Sequence, residues 1–160
     1  MLAKRLPEEE VLQMRAAYLW LARLITLLVV VQAMSIAWAY FGVQQYLVED
    51  GGTLDKAAVQ SETLDFPGAI GFGIHSIAGE RVLPVVALLL LIVSFFAKVS
   101  QGVVIALVTF ALVIIQIAVT KVGSADLGLF HGLNAFLIFG AAMAAAMKAK
   151  ESPTTATAAA

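Results

Sequence analysis

Hydrophobic side chains fill four long stretches of this chain, and polar side chains lie mostly in the segments between them. The apolar stretches cover residues 19–42, about 82–96, 103–119 and 127–147. The hydrocarbon core of a bilayer is about 30 Å thick, so a spanning helix needs about 20 apolar residues. Each stretch meets or approaches that length. The pattern therefore predicts four transmembrane helices, at about 18–43, 70–98, 102–121 and 126–148.

The connecting segments predict how these helices are joined. Short turns at 98–102 and 120–126 make neighbouring helices antiparallel, which favours up-down-up-down packing. The longest connection, 44–69, is an acidic loop. The predicted fold is an all-α integral membrane four-helix bundle over residues 18–147. An N-terminal arm at 1–17 precedes the bundle, and a Thr/Ala-rich tail at 148–160, expected to be disordered, follows it.

Composition supports membrane insertion and excludes several chemistries. Of the 160 residues, 61% are hydrophobic and only 13% are charged, whereas soluble domains carry about 25% charged residues. The net charge of −1 gives no reason to expect a nucleic-acid partner, so membrane lipid is the first partner to expect. Because there is no cysteine, disulfides, iron–sulfur clusters, thiolate zinc sites and covalent c-type haem are excluded.

The first apolar stretch has two possible interpretations. Ala37-Trp38-Ala39 has the small-x-small form of a signal-peptide cleavage site. However, the preceding polar region is long, and the apolar stretch itself is long enough to span a bilayer. We therefore expect an uncleaved first helix.

Lysine and arginine residues predict the orientation. One side of the predicted membrane carries Lys4, Arg5, Arg15, Arg23, Lys98, Lys148 and Lys150, and the other carries only Lys56, Arg81 and Lys121. Both termini are thus predicted to be cytoplasmic, with the acidic loop outside a bacterial inner membrane.

Polar residues within the predicted spans suggest a site near the extracytoplasmic side. The only two histidines are His75, near the start of helix two, and His131, one turn into helix four. Gln116 on helix three lies at a depth similar to that of His131, about 6 Å from the helix end, and Asn134 follows on helix four. Polar groups within a membrane are costly unless they are paired, so this clustering points to function.

Two imidazoles on different helices suit a metal. With their nitrogens about 4 Å apart, His75 and His131 would ligate one b-type haem axially. Gly79 and Gly132 would leave flat space beside the ligands, and Arg81 would pair with a propionate.

Other readings of the same residues stay open. His131, Gln116 and Asn134 would equally form a structural polar cluster that joins helices, or part of a quinone or proton site. Zinc would need carboxylate ligands in addition, from Glu80, Glu62 or Asp65. The spans contain no nucleophile or carboxylate dyad, and Ser76 next to His75 does not define a hydrolase, so an enzyme is not predicted. No helix carries the continuous polar stripe of a channel.

Several segments resemble an uncharacterised family of small bacterial four-helix membrane proteins. The resemblance covers about residues 18–147. It is carried by Gln32, by the His75-Ser-Ile-Ala-Gly79 segment, by Gln116 and by His131-Gly132-Leu133-Asn134-Ala135.

Histidines at equivalent ends of helices two and four also resemble half of the haem A synthase fold and other membrane b-type cytochromes. This resemblance implies haem b ligated by His75 and His131, in an electron-transfer or haem-handling subunit. Those cytochromes usually carry a second histidine pair on the opposite side, which this chain lacks. The alternative function is a non-catalytic accessory subunit of a larger respiratory or other membrane complex.

Overall fold

The structure, a computed structural model, describes residues 7–57 and 65–151. Four long helices occur in these ranges and no strand does: α1 (Glu8–Val48), α2 (Ile70–Ser94), α3 (Gly102–Val122) and α4 (Ala125–Glu151). Each helix is long and apolar enough to cross a membrane. The all-α prediction and the number of candidate spans are confirmed.

The first helix is much longer than the predicted 18–43. It begins after Pro7, and Glu8, Glu9 and Glu10 fill its first turn, where acidic side chains stabilise the positive end of the helix dipole. The helix therefore contains most of the predicted N-terminal arm and the first residues of the predicted 44–69 loop. Its 41 residues span about 60 Å.

The fourth helix also exceeds its prediction. It continues to Glu151, and Lys148 forms an ion pair with Glu151 at 2.7 Å within its last turn. Residues 148–151, which were predicted to belong to a disordered tail, are helical. The remainder of that predicted tail, 152–160, lies outside the described residues.

The second helix contains a π-helical turn. Residues Ala78–Val82 are π-helical, and Ile70–Ile77 and Leu83–Ser94 are α-helical. The N–H of Leu83 reaches back five residues to the carbonyl of Ala78. Pro84 follows directly, and its ring has no N–H and crowds the carbonyl four residues earlier, which accounts for the widened turn.

The helices pack in a ring, with α1 against α2, α2 against α3, α3 against α4 and α4 against α1. One end of the ring holds a core of small side chains and a few large ones, which we call the alanine-rich core: Tyr18, Ala22, Ile25, Ala87, Leu90, Ala106, Ala142 and Ala145. All of these residues are fully buried. Small residues let helix backbones approach closely, and the Tyr18 hydroxyl donates a hydrogen bond to the carbonyl of Gly102 at 3.0 Å.

The outside of the ring is apolar. Large hydrophobic side chains are exposed on all four helices, for example Trp20 on α1, Val85 on α2, Val104 on α3 and Phe136 on α4. Soluble monomers rarely expose so much contiguous apolar surface. A hydrocarbon environment would solvate these side chains.

Candidate functional site

The histidine site lies at the end of the ring opposite the alanine-rich core. We define it as His75, His131, Gln32, Gln116 and Asn134. His75 stands on the first α-helical part of α2, and its Nδ1 lies 3.0 Å from the backbone carbonyl oxygen of Gln32 on α1. Because a carbonyl only accepts hydrogen bonds, Nδ1 of His75 carries the proton. The lone pair of its Nε2 is therefore left for a ligand.

The structure brings the two histidines together. The ring centroids of His75 and His131 are 6.1 Å apart, and the ring planes are inclined by 52°. Both side chains are half-buried. Nδ1 of His131 is buried and has no hydrogen-bond partner among the described residues. Two imidazoles from α2 and α4 thus lie next to each other, and a main-chain oxygen fixes one of the two rings.

The side-chain amides of Gln116 and Asn134 join α3 to α4 through hydrogen bonds. Nδ2 of Asn134 donates to Oε1 of Gln116 at 2.6 Å and to the carbonyl of Leu112 at 2.8 Å. Nε2 of Gln116 donates to the backbone carbonyl of His131 at 3.0 Å. The sequence predicted a cluster of the side chains of His131, Gln116 and Asn134. The network instead includes the backbone carbonyl of His131, and the imidazole of His131 takes no part in it.

Gln32 lies at the histidine site although it was not among the predicted site residues. It is only 9% exposed, and neither atom of its amide has a hydrogen-bond partner in the described part of the chain. The amide lies over Gly79, where a Cβ would come within 2.7 Å of Nε2 of Gln32. Gly79 was expected to leave flat space beside His75, but Gln32 fills that space. A glutamine in the middle of a long apolar stretch was the available signal.

The surroundings of His131 are open instead. Gly132 is exposed, and a Cβ on either Gly128 or Gly132 would meet no atom within 4 Å. Phe130 and Phe136 on the same helix are also exposed. These residues of α4 therefore lie on an exposed surface, with open space beside Gly132.

The charged residues near the π turn include an ion pair between α2 and α3. Glu80 forms an ion pair with Lys121 of α3, with 2.8 Å between Oε1 and Nζ. Its sequence neighbour Arg81 is exposed, and no hydrogen bond of the Arg81 side chain to either histidine occurs within the described ranges.

The structure gives no support to a zinc site with three protein ligands. Within residues 7–57 and 65–151, no group of three or more histidine, cysteine, aspartate or glutamate side chains is arranged to hold a metal ion. Asp65 is exposed and Glu80 is paired with Lys121, whereas Glu62 lies outside the described residues.

Aromatic side chains close the same end of the ring between α1, α2 and the segment before α2. Phe72 packs edge-on against Tyr40 and Phe66, with centroid distances of 5.6 and 6.3 Å, and Tyr46 packs on Phe66 at 5.9 Å. Phe72 thus contacts both α1 and the segment before α2.

Comparison of the chain with protein-family models, with curated proteins and with solved structures finds no match. The family resemblance seen in the sequence therefore stays a prediction, and the proposed function depends on the geometry of the site.

Proposed function

We propose that this chain is an up-down-up-down four-helix membrane protein that holds one b-type haem between α2 and α4, with His75 and His131 as axial ligands. The single observation that carries the proposal is the proximity of the two imidazoles, whose ring centroids are 6.1 Å apart. It would serve as an electron-transfer or haem-handling subunit of a bacterial inner membrane.

Insertion and topology are supported by the outer surface and by the order of the helix contacts. Large apolar side chains face outward on every helix. Along α1 and α2 the contacts run in opposite order, because Gly79 meets Gln32 whereas Gly71 meets Ser35 and Ala39. With lysines and arginines concentrated at the other end, the positive-inside rule puts both termini in the cytoplasm and the histidine site near the extracytoplasmic face.

The residues present fit a metal with two axial nitrogens. A metal held by both imidazoles would place their ligand nitrogens about 4 Å apart, and the ring centroids of His75 and His131 are 6.1 Å apart. His75 is already in the tautomer of a ligand, with Nδ1 bound to a carbonyl as in many metal sites. The buried Nδ1 of His131 lacks a partner.

The surrounding residues would hold the macrocycle. Gly132 offers open space on α4, and the exposed Arg81 is the cation proposed for a propionate. Gln32, with an amide that has no partner, would have to turn to admit the ring beside Gly79. Bound haem would supply reversible one-electron chemistry at iron. Because the chain has only this histidine pair, it would need a partner to carry electrons across the membrane.

An absorption spectrum of the full chain tests this proposal. Protein purified in detergent from cells with ample haem is expected to show a Soret band and a low-spin spectrum. His131→Ala and His75→Ala should each abolish the low-spin spectrum, and added imidazole should restore it by replacing the missing ligand. Ser76→Ala, which alters an exposed neighbour of His75, should leave the spectrum unchanged. A wild-type protein without a Soret band, or an unaltered band in His131→Ala, would overturn the haem assignment.

One observation favours a second candidate function. The amide network of Gln116 and Asn134 is complete without any ligand and joins α3 to α4. A non-catalytic accessory subunit of a larger respiratory or other membrane complex would need no more than this. Such a subunit should co-purify with a stoichiometric partner and without a cofactor of its own.

A further inference from the structure

A groove of about 450 Å³ lies between α1 and α4, along the same parts of these helices that contribute to the alanine-rich core. Its walls are apolar except at one end, where two cationic side chains line it. The residues used below are Leu27, Val30, Phe139, Met143, Arg23 and Lys150.

The apolar part of the groove suits a hydrocarbon chain. The hydroxyl of Thr26, a polar group in the lining, already donates to the carbonyl of Ala22 at 3.1 Å and so offers no donor to a ligand. From Lys150 to Phe139 the groove follows twelve residues of α4, or about 16 Å along the helix axis. A large part of one acyl chain would lie along that length.

The cationic end suits a phosphate. Arg23 is half-buried, and its guanidinium lies over the ring of Trp20 with 4.8 Å to the centroid. Stacking of its flat face on Trp20 restrains the guanidinium, and the N–H groups at its edge point away from the ring. On α4, Glu151 pairs with Lys148 rather than with Lys150. Arg23 and Lys150 thus bring two positive charges to one end of an apolar groove.

We infer that this groove binds an anionic phospholipid, with the phosphate between Arg23 and Lys150 and one acyl chain along Leu27, Val30, Phe139 and Met143. Basic pockets between transmembrane helices on the cytoplasmic side hold acidic headgroups in this way. The inference rests on the membrane insertion and orientation proposed above and is independent of haem.

Lipid binding to the full chain in detergent, followed by native mass spectrometry, tests the inference. The probes are phosphatidylglycerol, phosphatidylcholine and inorganic phosphate. We expect phosphatidylglycerol to bind more tightly than phosphatidylcholine, and Arg23→Gln or Lys150→Gln to weaken phosphatidylglycerol about fivefold each. Lys98→Gln removes a cation at the same end of the ring that does not line the groove, so it should leave the affinity unchanged.

A second variant tests the apolar part. Met143→Trp fills the groove from a position that is 43% exposed, so it should fold normally and weaken both lipids. Equal binding of the two lipids by wild type, or an unchanged preference in the Arg23→Gln/Lys150→Gln double variant, would overturn the inference. So would displacement of the lipid by inorganic phosphate, which would define an anion site without an acyl component. A chain that stays dissolved without detergent would overturn the membrane assignment itself, whereas a missing lipid preference would leave that assignment and the haem proposal intact.

Discussion

The two ends of the helical ring differ in whether their buried polar groups are hydrogen-bonded. At the alanine-rich core, side chains are fully buried and the one hydroxyl, on Tyr18, is bonded to the carbonyl of Gly102. At the histidine site, the imidazoles are half-buried, and the amide of Gln32 is buried without a hydrogen-bond partner among residues 7–57 and 65–151. A buried polar group left unpaired costs about 1–3 kcal/mol. One end therefore holds the helices together, and the other end contains a buried polar group that lowers stability.

The largest effect on stability is expected from truncation in the alanine-rich core. Leu90→Ala removes a fully buried side chain and should lower the free energy of unfolding by about 2–5 kcal/mol. Its neighbour Leu89 is 44% exposed, so Leu89→Ala should have little effect. Denaturant unfolding in detergent, followed by circular dichroism, measures both. Equal losses for the two variants would contradict the tight packing assigned to this end.

A smaller effect is expected where α1 and α2 approach each other near the histidine site. A Cβ on Gly71 would run into the backbone carbonyl of Ser35, which cannot turn aside. Gly71→Ala should therefore destabilise the protein by about 1–3 kcal/mol.

Gly73, two residues along the same helix, is the matched control. A Cβ there meets no atom within 4 Å. Gly73→Ala should be neutral or stabilise the protein by about 0.5–1 kcal/mol, because alanine loses less conformational entropy in a helix than glycine does. The same unfolding assay measures both variants, and a loss at Gly73 as large as at Gly71 would show that the close approach is not the cause.

The smallest effects on the free energy of unfolding are expected to have opposite signs at the alanine-rich core and at the histidine site. Tyr18→Phe removes a satisfied hydrogen bond and should cost about 0.5–1.5 kcal/mol. Gln32→Leu removes an amide without partners and should stabilise the ligand-free protein by about 1 kcal/mol. Thermal unfolding of the two variants side by side measures this contrast. Destabilisation by Gln32→Leu would mean that the amide is satisfied in the folded protein.

The sequence predicted the helices well because each apolar stretch carries its own length signal. It underestimated α1, because the charged residues before position 18 and the polar ones after 43 are compatible with a helix but give no apolar signal. The three glutamates that follow Pro7 marked the true start.

The histidine pair could also be predicted, since two histidines at similar depth in an apolar chain are a strong signal. Which side chain would fill the space at Gly79 could not be predicted. That depends on the register of α1 against α2, which packing over the whole interface sets and no local motif reveals. For the same reason, the ion pair between Glu80 of α2 and Lys121 of α3 could not be predicted.

The partner of His75 on α1 is a main-chain oxygen. No replacement at position 32, other than one that breaks the helix, can delete that acceptor. The position of the proton on this imidazole therefore does not depend on which side chain stands at position 32. Only a shift or rotation of α1 relative to α2 would break this hydrogen bond. The tautomer of His75 therefore depends on how the two helices pack and not on any single side chain.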